Sequence, residues 1–167
     1  MRGAMPQLLG EKLRFLRYQH ATTQVDLASK LGLASYTHIS KIESNQDLAS
    51  LALILRIARV FRVTTDYLLR DTVSVEQVEP SAVSPSENES VLPQLFGAKL
   101  HALRVQNGWS QTGLAYKLGL ARRGYISNLE GSRDNKMPST ELVVQIADLF
   151  GVTTEYLLRD DVPIASN

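Results

Sequence analysis

The sequence of 167 residues contains no cysteine and only three histidines, His20, His38 and His101. Without cysteine, the chain has no disulfide framework, no cysteine-based zinc or iron–sulfur site and no thiol nucleophile. The three histidines are far apart in the sequence, which argues against a histidine-rich metal site. We therefore expect no metal and no other cofactor.

Long apolar runs are lacking as well. No stretch approaches the ~20 apolar residues that span a bilayer, and residues 1–6 lack the apolar core of a secretory signal. We therefore expect a cytoplasmic protein with no membrane partner. The sequence also has no glycine-rich phosphate loop and no metal-ligand spacing, so an enzyme is a poor interpretation and no small-molecule ligand is evident.

The sequence does contain an internal repeat. Residues 9–46 match residues 96–133 at 17 of 38 positions, and residues 47–71 match residues 136–160 at 13 of 25 positions. Two copies are too few for a solenoid, in which each repeat is stabilised by its neighbours. The pattern therefore predicts two small domains that arose by duplication.

A polar segment separates the two copies. Residues 72–93 hold three prolines, four glutamates and no basic residue. Such a composition buries too little apolar surface to offset the entropy lost on ordering the chain. We therefore predict a flexible linker over 72–93, between domains at 7–71 and 94–161, with a tail at 162–167.

Each copy has the apolar spacing of short helices. Leu9, Leu13 and Leu16 follow the i, i+4, i+7 spacing of one helical face. Thr23 in the first copy and Ser110 in the second are N-cap residue types ahead of the next apolar stripe. No segment alternates with a period of two residues, so we predict no sheet. The expected fold class is all-α, with five helices per copy.

The second and third predicted helices carry a familiar pattern. Thr23-Gln24-x-x-Leu27-Ala28-x-x-Leu31-Gly32, followed by Ile39-Ser40-x-Ile42-Glu43, resembles the helix-turn-helix of the Cro/phage-repressor (XRE) family. The second copy repeats the pattern from Ser110-Gln111 to Tyr125-Ile126-Ser127-x-Leu129-Glu130-Gly131. The resemblance implies two tandem five-helix, lambda-repressor-like DNA-binding domains joined by a flexible linker, in a transcriptional regulator from a bacterium or a phage.

The start of each third helix is the expected DNA-binding surface, because an α-helix fits the major groove and its first residues reach the base edges. Arg123 is suited to guanine and Asn128 to adenine. Gln24 and Gln111 are expected to hydrogen-bond phosphate, with plain exposed residues as the alternative. The remaining candidate DNA-binding residues are Ser35, Tyr36, Thr37, His38 and Lys41 in the first copy and Arg122, Gly124, Tyr125, Arg133 and Lys136 in the second, with Arg122, Arg133 and Lys136 assigned to phosphates.

Several of these residues have a structural interpretation beside the functional one. Tyr36 and Tyr125 are also suited to packing, and His38 to a plain surface position. The resemblance further implies two structural ion pairs, which join the first helix to the end of the third. These pairs are Arg17 with Glu43 and Arg104 with Glu130.

Double-stranded DNA is the expected partner, although the net charge of +1 does not by itself argue for nucleic acid. A 22-residue linker would let both domains of one chain bind adjacent grooves as a pseudo-dimer. In an alternative arrangement, the second copy supplies the affinity and the first pairs two chains in a homodimer. The competing function is a protein–protein adaptor of the antitoxin or anti-repressor type.

Overall fold

The computed structural model describes residues 6–78, 80, 81, 93–121, 124–131 and 137–164. These residues form ten α-helices that divide between two compact units, one for each copy of the repeat. Apart from an isolated antiparallel bridge between Val63 and Pro80, they contain no strand, so the all-α prediction is confirmed. No helix in this part of the chain is long and apolar enough to cross a membrane.

Both domains have the same five-helix order. The first domain contains α1 (Leu9–Gln19), α2 (Gln24–Lys30), α3 (Thr37–Glu43), α4 (Leu51–Phe61) and α5 (Thr65–Leu69). The second domain contains α6 (Phe96–Gln106), α7 (Gln111–Lys117), α8 (Gly124–Gly131), α9 (Thr140–Phe150) and α10 (Thr154–Leu158).

The helix that precedes each third helix begins at the predicted cap. The Thr23 hydroxyl accepts the Asp26 amide at 3.1 Å, and the Asp26 carboxylate accepts the Thr23 amide at 3.3 Å, which completes a capping box. In the second domain the Ser110 hydroxyl accepts the Gly113 amide at 3.0 Å. The predicted caps are therefore confirmed in both copies.

The third helix of each domain packs closely against the first. A Cβ atom added at Gly10 would lie 2.5 Å from the Ile42 carbonyl oxygen, and one at Gly97 would lie 2.5 Å from the Leu129 carbonyl oxygen. Only glycine allows this approach of α1 to α3 and of α6 to α8. Ile39 in α3 and Ile126 in α8 are fully buried.

Lys12 in the first domain and Lys99 in the second are buried. The Lys12 Nζ donates to the carbonyl oxygens of Tyr67 and Arg70, each at 2.6 Å, and the Lys99 Nζ donates to those of Tyr156 and Arg159. A charged donor satisfies carbonyls that the short last helix leaves without helical partners. The first helix of each domain is thereby joined to the end of the last.

A carboxylate completes the same connection from the other side. The two oxygens of Asp71 accept the backbone amides of Gln7 and Leu8 at 2.9 and 3.0 Å. In the second domain Asp160 accepts the amides of Gln94 and Leu95, both at 2.8 Å. The residue that ends each repeat therefore holds the chain that enters its first helix.

The stretch expected to be a linker starts on the surface of the first domain. The Tyr67 hydroxyl donates to the Val75 carbonyl at 2.7 Å, and the Ser81 amide donates to the Arg62 carbonyl at 2.9 Å. For residues 72–78, 80 and 81 this differs from the expectation of a flexible linker, because their hydrogen bonds and half-buried valines attach them to α4 and α5. Residues 79 and 82–92 lie outside the described part of the chain.

Candidate nucleic-acid interface

The third helix of each domain has one buried face and one exposed row. In α3 the apolar residues Ile39 and Ile42 are buried, whereas Thr37, Lys41 and the C-cap residue Ser44 are exposed at i, i+4, i+7 spacing. In α8 the matching positions are Gly124, Asn128 and Gly131, and all three are exposed. We call these six residues the outward rows of α3 and α8. Each row is open to a partner that approaches from solvent.

The residues before α3 extend the outward row of the first domain. Tyr36, at the N-cap, is 52% exposed, so it does not pack as a core aromatic residue. The Ser35 hydroxyl accepts the Thr37 amide at 3.2 Å and lies 2.8 Å from the Thr37 hydroxyl, which shapes the turn into the helix. His38 is partly exposed, with its Nε2 3.8 Å from an Asp47 oxygen.

In the second domain the structure places only part of the predicted surface. Gly124 and Asn128 are exposed, and Tyr125 is half-buried beside the fully buried Ile126. The remaining candidates fall outside the described residues, and they are Arg122, Arg123, Arg133 and Lys136.

An ion pair holds each third helix to the first helix of its domain. The Arg17 Nε donates to Glu43 Oε1 at 2.8 Å, and the Arg17 Nη2 donates to Oε2 at 3.0 Å. In the second domain the Arg104 Nε and Nη2 donate to Glu130 at 2.6 and 2.9 Å. Each guanidinium also donates Nη1 to a backbone carbonyl ahead of the second helix, at Thr22 or Trp109. The pairs are bidentate and nearly inaccessible to solvent, so they fix the orientation of the third helices.

The two glutamines at the start of the second helices join the same ion pairs. Gln24 Nε2 donates to Glu43 Oε2 at 2.9 Å, and Gln111 Nε2 donates to Glu130 Oε2 at 2.9 Å. Both glutamines are half-buried, so neither is the plain exposed residue of the alternative interpretation. We call Arg17, Gln24 and Glu43, and their counterparts Arg104, Gln111 and Glu130, the glutamate clusters. Each cluster connects all three helices that build the candidate interface.

The glutamates stay ionised over a wide pH range. Burial by itself raises the pKa of the Glu43 carboxyl, but hydrogen bonds from Arg17 and Gln24 outweigh it, and the net pKa lies below the ordinary 4.5. The pKa of Glu130 is lowered in the same way by Arg104 and Gln111, with a further contribution from His101. The hydrogen bond to each glutamate raises the pKa of Arg17 and of Arg104. Both pairs therefore remain charged at neutral pH.

The clusters differ in their outer neighbour. In the first domain the Arg14 Nε lies 3.7 Å from Glu43 Oε2, and its Nη2 donates to the Glu43 carbonyl at 2.9 Å. His101 occupies the matching position in the second domain, with its Nδ1 3.2 Å from Glu130 Oε2. The first cluster therefore has a second guanidinium beside the glutamate, whereas the second has an imidazole ring.

Sequence reasoning missed the lysine and the aspartate that join the first helix of each domain to the end of its repeat. Lys12 and Lys99 occur within the apolar stripe of the first helix and are identical in the two copies, which is the signal that would have marked them as buried. Asp71 and Asp160 end the repeat at an identical position. None of these four residues lies in the outward rows.

Comparison with known families assigns each copy to the same kind of domain. Residues 97–160 match a family model described as a helix-turn-helix domain, and residues 13–68 match another described as helix-turn-helix. The chain therefore contains two helix-turn-helix domains. No solved structure matches the chain significantly.

Two curated proteins of Bacillus subtilis (strain 168) are similar to part of the chain. The SPbeta prophage-derived uncharacterized HTH-type transcriptional regulator YonR is 31% identical over 65 residues, which cover 39% of this chain and 57% of that protein. The HTH-type transcriptional regulator ImmR is 33% identical over 66 residues, which cover 40% of this chain and 50% of that protein. The chain thus spans about half the length of these relatives.

Proposed function

We propose that the protein is a transcriptional regulator that binds double-stranded DNA in a sequence-specific manner and reads the major groove with α3 and α8. The observation that carries the proposal is the pair of outward rows, exposed at matching positions of two helices whose inner faces are buried. The helix-turn-helix matches and the names of the two relatives support the same class of function.

The outward rows suit base recognition because they are both exposed and rigidly held. A side chain distinguishes one base pair from another in the major groove only when it is held in a defined register. The glutamate clusters provide this support, since each joins the third helix to the two preceding helices through hydrogen bonds of 2.6–3.0 Å. We assign base contacts to Thr37 and Lys41 in the first domain and to Asn128 in the second.

The phosphate contacts belong to other residues. The sequence offers Arg122, Arg133 and Lys136 for this role around α8, and Arg123 for guanine. We assign Gln24 and Gln111 a supporting role in addition to any phosphate contact, because one amide hydrogen of each is already donated to a glutamate. The second hydrogen of each amide is the one suited to a phosphate oxygen.

The test is selection of duplexes from a random DNA pool by the full chain, followed by binding measurements across salt concentrations. We expect enriched sequences and a linear fall of log K with log salt, with a slope of about −0.9 for each phosphate contacted. Absence of a complex even at low salt would contradict the proposal and favour the protein–protein adaptor.

Matched variants locate the surface. Asn128→Ala is expected to weaken binding to the selected duplex about 10-fold and to relax the preference at one base pair. Thr112→Ala removes an exposed polar side chain from α7 and is the control. Lys41→Ala is compared with Lys30→Ala, which removes the same charge from the end of α2. Equal losses within both pairs would mean that the outward rows do not contact DNA.

A further inference from the structure

The chain that leaves the first domain is still attached to that domain at Ser81, ten residues beyond the end of the repeat. The Tyr67 hydroxyl donates to Val75, the Ser81 amide donates to Arg62, and Pro80 forms an antiparallel bridge with Val63. Tyr67 is fully buried and Val63 nearly so. Residues 72–78, 80 and 81, which we call the anchored segment, thus contact the domain at two separate points.

The chain that enters the second domain is held as well. The amides of Gln94 and Leu95 donate to the carboxylate of Asp160, both at 2.8 Å. Ser81 is the last described residue attached to the first domain, and Gln94 is the first described residue attached to the second. Only 13 peptide steps separate these two residues. Full extension of these steps reaches about 45 Å, compared with about 78 Å for the 23 steps from Asp71 to Gln94.

We propose that the chain binds composite DNA sites in which two unlike half-sites lie one helical turn apart, and that it discriminates against half-sites two or more turns apart. This inference rests on the proposed function. Half-sites one turn apart have centres ~34 Å apart, which a 13-step connection spans without being fully stretched. Two turns require ~68 Å between centres, about 23 Å more than the fully extended connection reaches. The domains could bridge this distance only with the connection fully stretched and both attachment points on the facing sides of the domains, so little gain in effective concentration remains.

The expected preference arises from effective concentration. Once one domain is bound, the connection keeps the other close to its half-site, and this gain vanishes when the connection cannot span the distance. The outward rows of the two domains carry different side chains, Thr37, Lys41 and Ser44 against Gly124, Asn128 and Gly131, so the two half-sites differ in sequence. The recognised element is therefore directional and of fixed spacing.

The first experiment measures affinity as a function of spacing. Half-sites are identified by selection from a random DNA pool, and duplexes are then made with centres about 10, 21 and 31 base pairs apart. We expect the full chain to bind the shortest spacing about 100-fold more tightly than a single half-site, and the two longer spacings little better than a single half-site.

A lengthened chain provides the control for reach. Insertion of twelve Gly/Ser residues between Ser86 and Glu87 lengthens the connection from 13 to 25 steps and is expected to recover binding at about 21 base pairs. The same twelve residues added after Asn167 should change nothing. Equal affinity of the unmodified chain at all three spacings, or selection of single half-sites only, would overturn the inference and leave the proposed function intact. Failure to enrich any duplex would overturn both.

A second experiment tests the anchored segment without DNA. The Ser81 amide of the full chain is expected to exchange its hydrogen at least 10-fold more slowly than an unstructured amide, because it donates to Arg62. Tyr67→Phe removes the bond to Val75 and should accelerate that exchange severalfold, whereas Tyr156→Phe, at the matching position of the second domain, should not. Exchange of Ser81 at the unstructured rate would overturn the shortened connection on which the inference depends.

Discussion

The two domains share one framework and differ in the surfaces that it carries. The residues that hold the helices together are identical in the two copies, whereas the outward rows have no residue in common. The shared residues are Lys12 and Lys99, Arg17 and Arg104, Gln24 and Gln111, Glu43 and Glu130, and Asp71 and Asp160. The duplication thus preserved the supporting contacts and changed the side chains that we propose to face the bases.

A second difference lies at the last helix of each domain. Tyr67 is fully buried where the anchored segment passes, and this burial raises its pKa to about 12. Tyr156 and Val152, at the matching positions, are half-buried. In the first domain, a residue beyond the repeat therefore accepts a hydrogen bond from the buried Tyr67.

The largest effect is expected from breaking a glutamate cluster. Glu130→Ala leaves the Arg104 guanidinium buried without its carboxylate, which should cost the second domain about 3–5 kcal/mol. Trp109, the single tryptophan of the chain, stacks on Phe150 with 5.1 Å between ring centroids, so its fluorescence reports unfolding of this domain. Glu43→Ala is the matched variant in the first domain. It should lower the temperature at which helix content is lost from that domain, and it should leave the Trp109 fluorescence transition of the second domain unchanged. If neither variant lowers the unfolding temperature of its own domain, the glutamate clusters do not stabilise the domains.

Acid should act on the same contacts. Because the folded pKa of Glu130 lies below its ordinary value of 4.5, its contribution to stability is fully present above about pH 4.5 and is lost as the pH falls through the folded pKa. The midpoint of thermal unfolding, followed by Trp109 fluorescence, is therefore expected to decrease as the pH is lowered below about 4.5. Glu130→Gln should make this midpoint less dependent on pH. A dependence that remains as steep in Glu130→Gln would assign the acid sensitivity to other carboxylates.

The buried lysines are expected to have an intermediate effect in both domains. Lys99→Met removes a charged donor from the carbonyls of Tyr156 and Arg159 and should cost about 2–3 kcal/mol. Burial also lowers the pKa of Lys99. Lys12→Met should cost a similar amount in the first domain, as measured by urea unfolding. A large loss in one domain and none in the other would break the equivalence of the two frameworks.

Because of the anchored segment, loss of the Tyr67 hydroxyl should destabilise its domain more than loss of the Tyr156 hydroxyl destabilises the other. Tyr67→Phe removes a hydrogen bond of 2.7 Å to Val75 and is expected to destabilise the first domain by about 1 kcal/mol. Tyr156→Phe, whose ring is half-buried, should cost the second domain less. Unfolding followed by circular dichroism for the first variant and by Trp109 fluorescence for the second measures the two costs.

The smallest effect concerns the turn after the first helix. Gly108 has φ of 66° and Ala21, at the matching position, has φ of 45°, a left-handed conformation that favours glycine. Gly108→Ala should cost the second domain about 1 kcal/mol, whereas Ala21→Gly should leave the first unchanged or slightly stabilised. Destabilisation by both substitutions would mean that the alanine methyl group makes contacts that offset the strain.

Local features of the sequence predicted much of the framework. The apolar spacing and the caps at Thr23 and Ser110 depend on neighbouring residues, so they could be recognised without a structure. The hydrogen-bond partners of Lys12 could not be recognised, because they are carbonyls more than 50 residues away. The bonds from Gln24 and Gln111 to the glutamates have the same long-range origin.

The anchored segment shows a different limit. The proline and glutamate content of residues 72–93 predicts a flexible chain, and Val73, Val75 and Val78 follow no regular helical or strand spacing. The anchored segment is held by a buried tyrosine hydroxyl and by a backbone carbonyl at the end of α4, which composition does not reveal. The DNA-binding assignments stay predictions.

Site-directed crosslinking tests most directly whether the outward rows face DNA. The chain has no cysteine, so Thr37→Cys and Gly131→Cys each introduce one thiol for a photoactivated crosslinker at an outward-row position of α3 or α8. Ser74→Cys places the same group on the exposed surface of the anchored segment. We expect strong crosslinks to the selected duplex from the first two variants and a background yield from the third. Equal yields from all three, or the highest yield from Ser74→Cys, would contradict the assignment of α3 and α8 to the major groove.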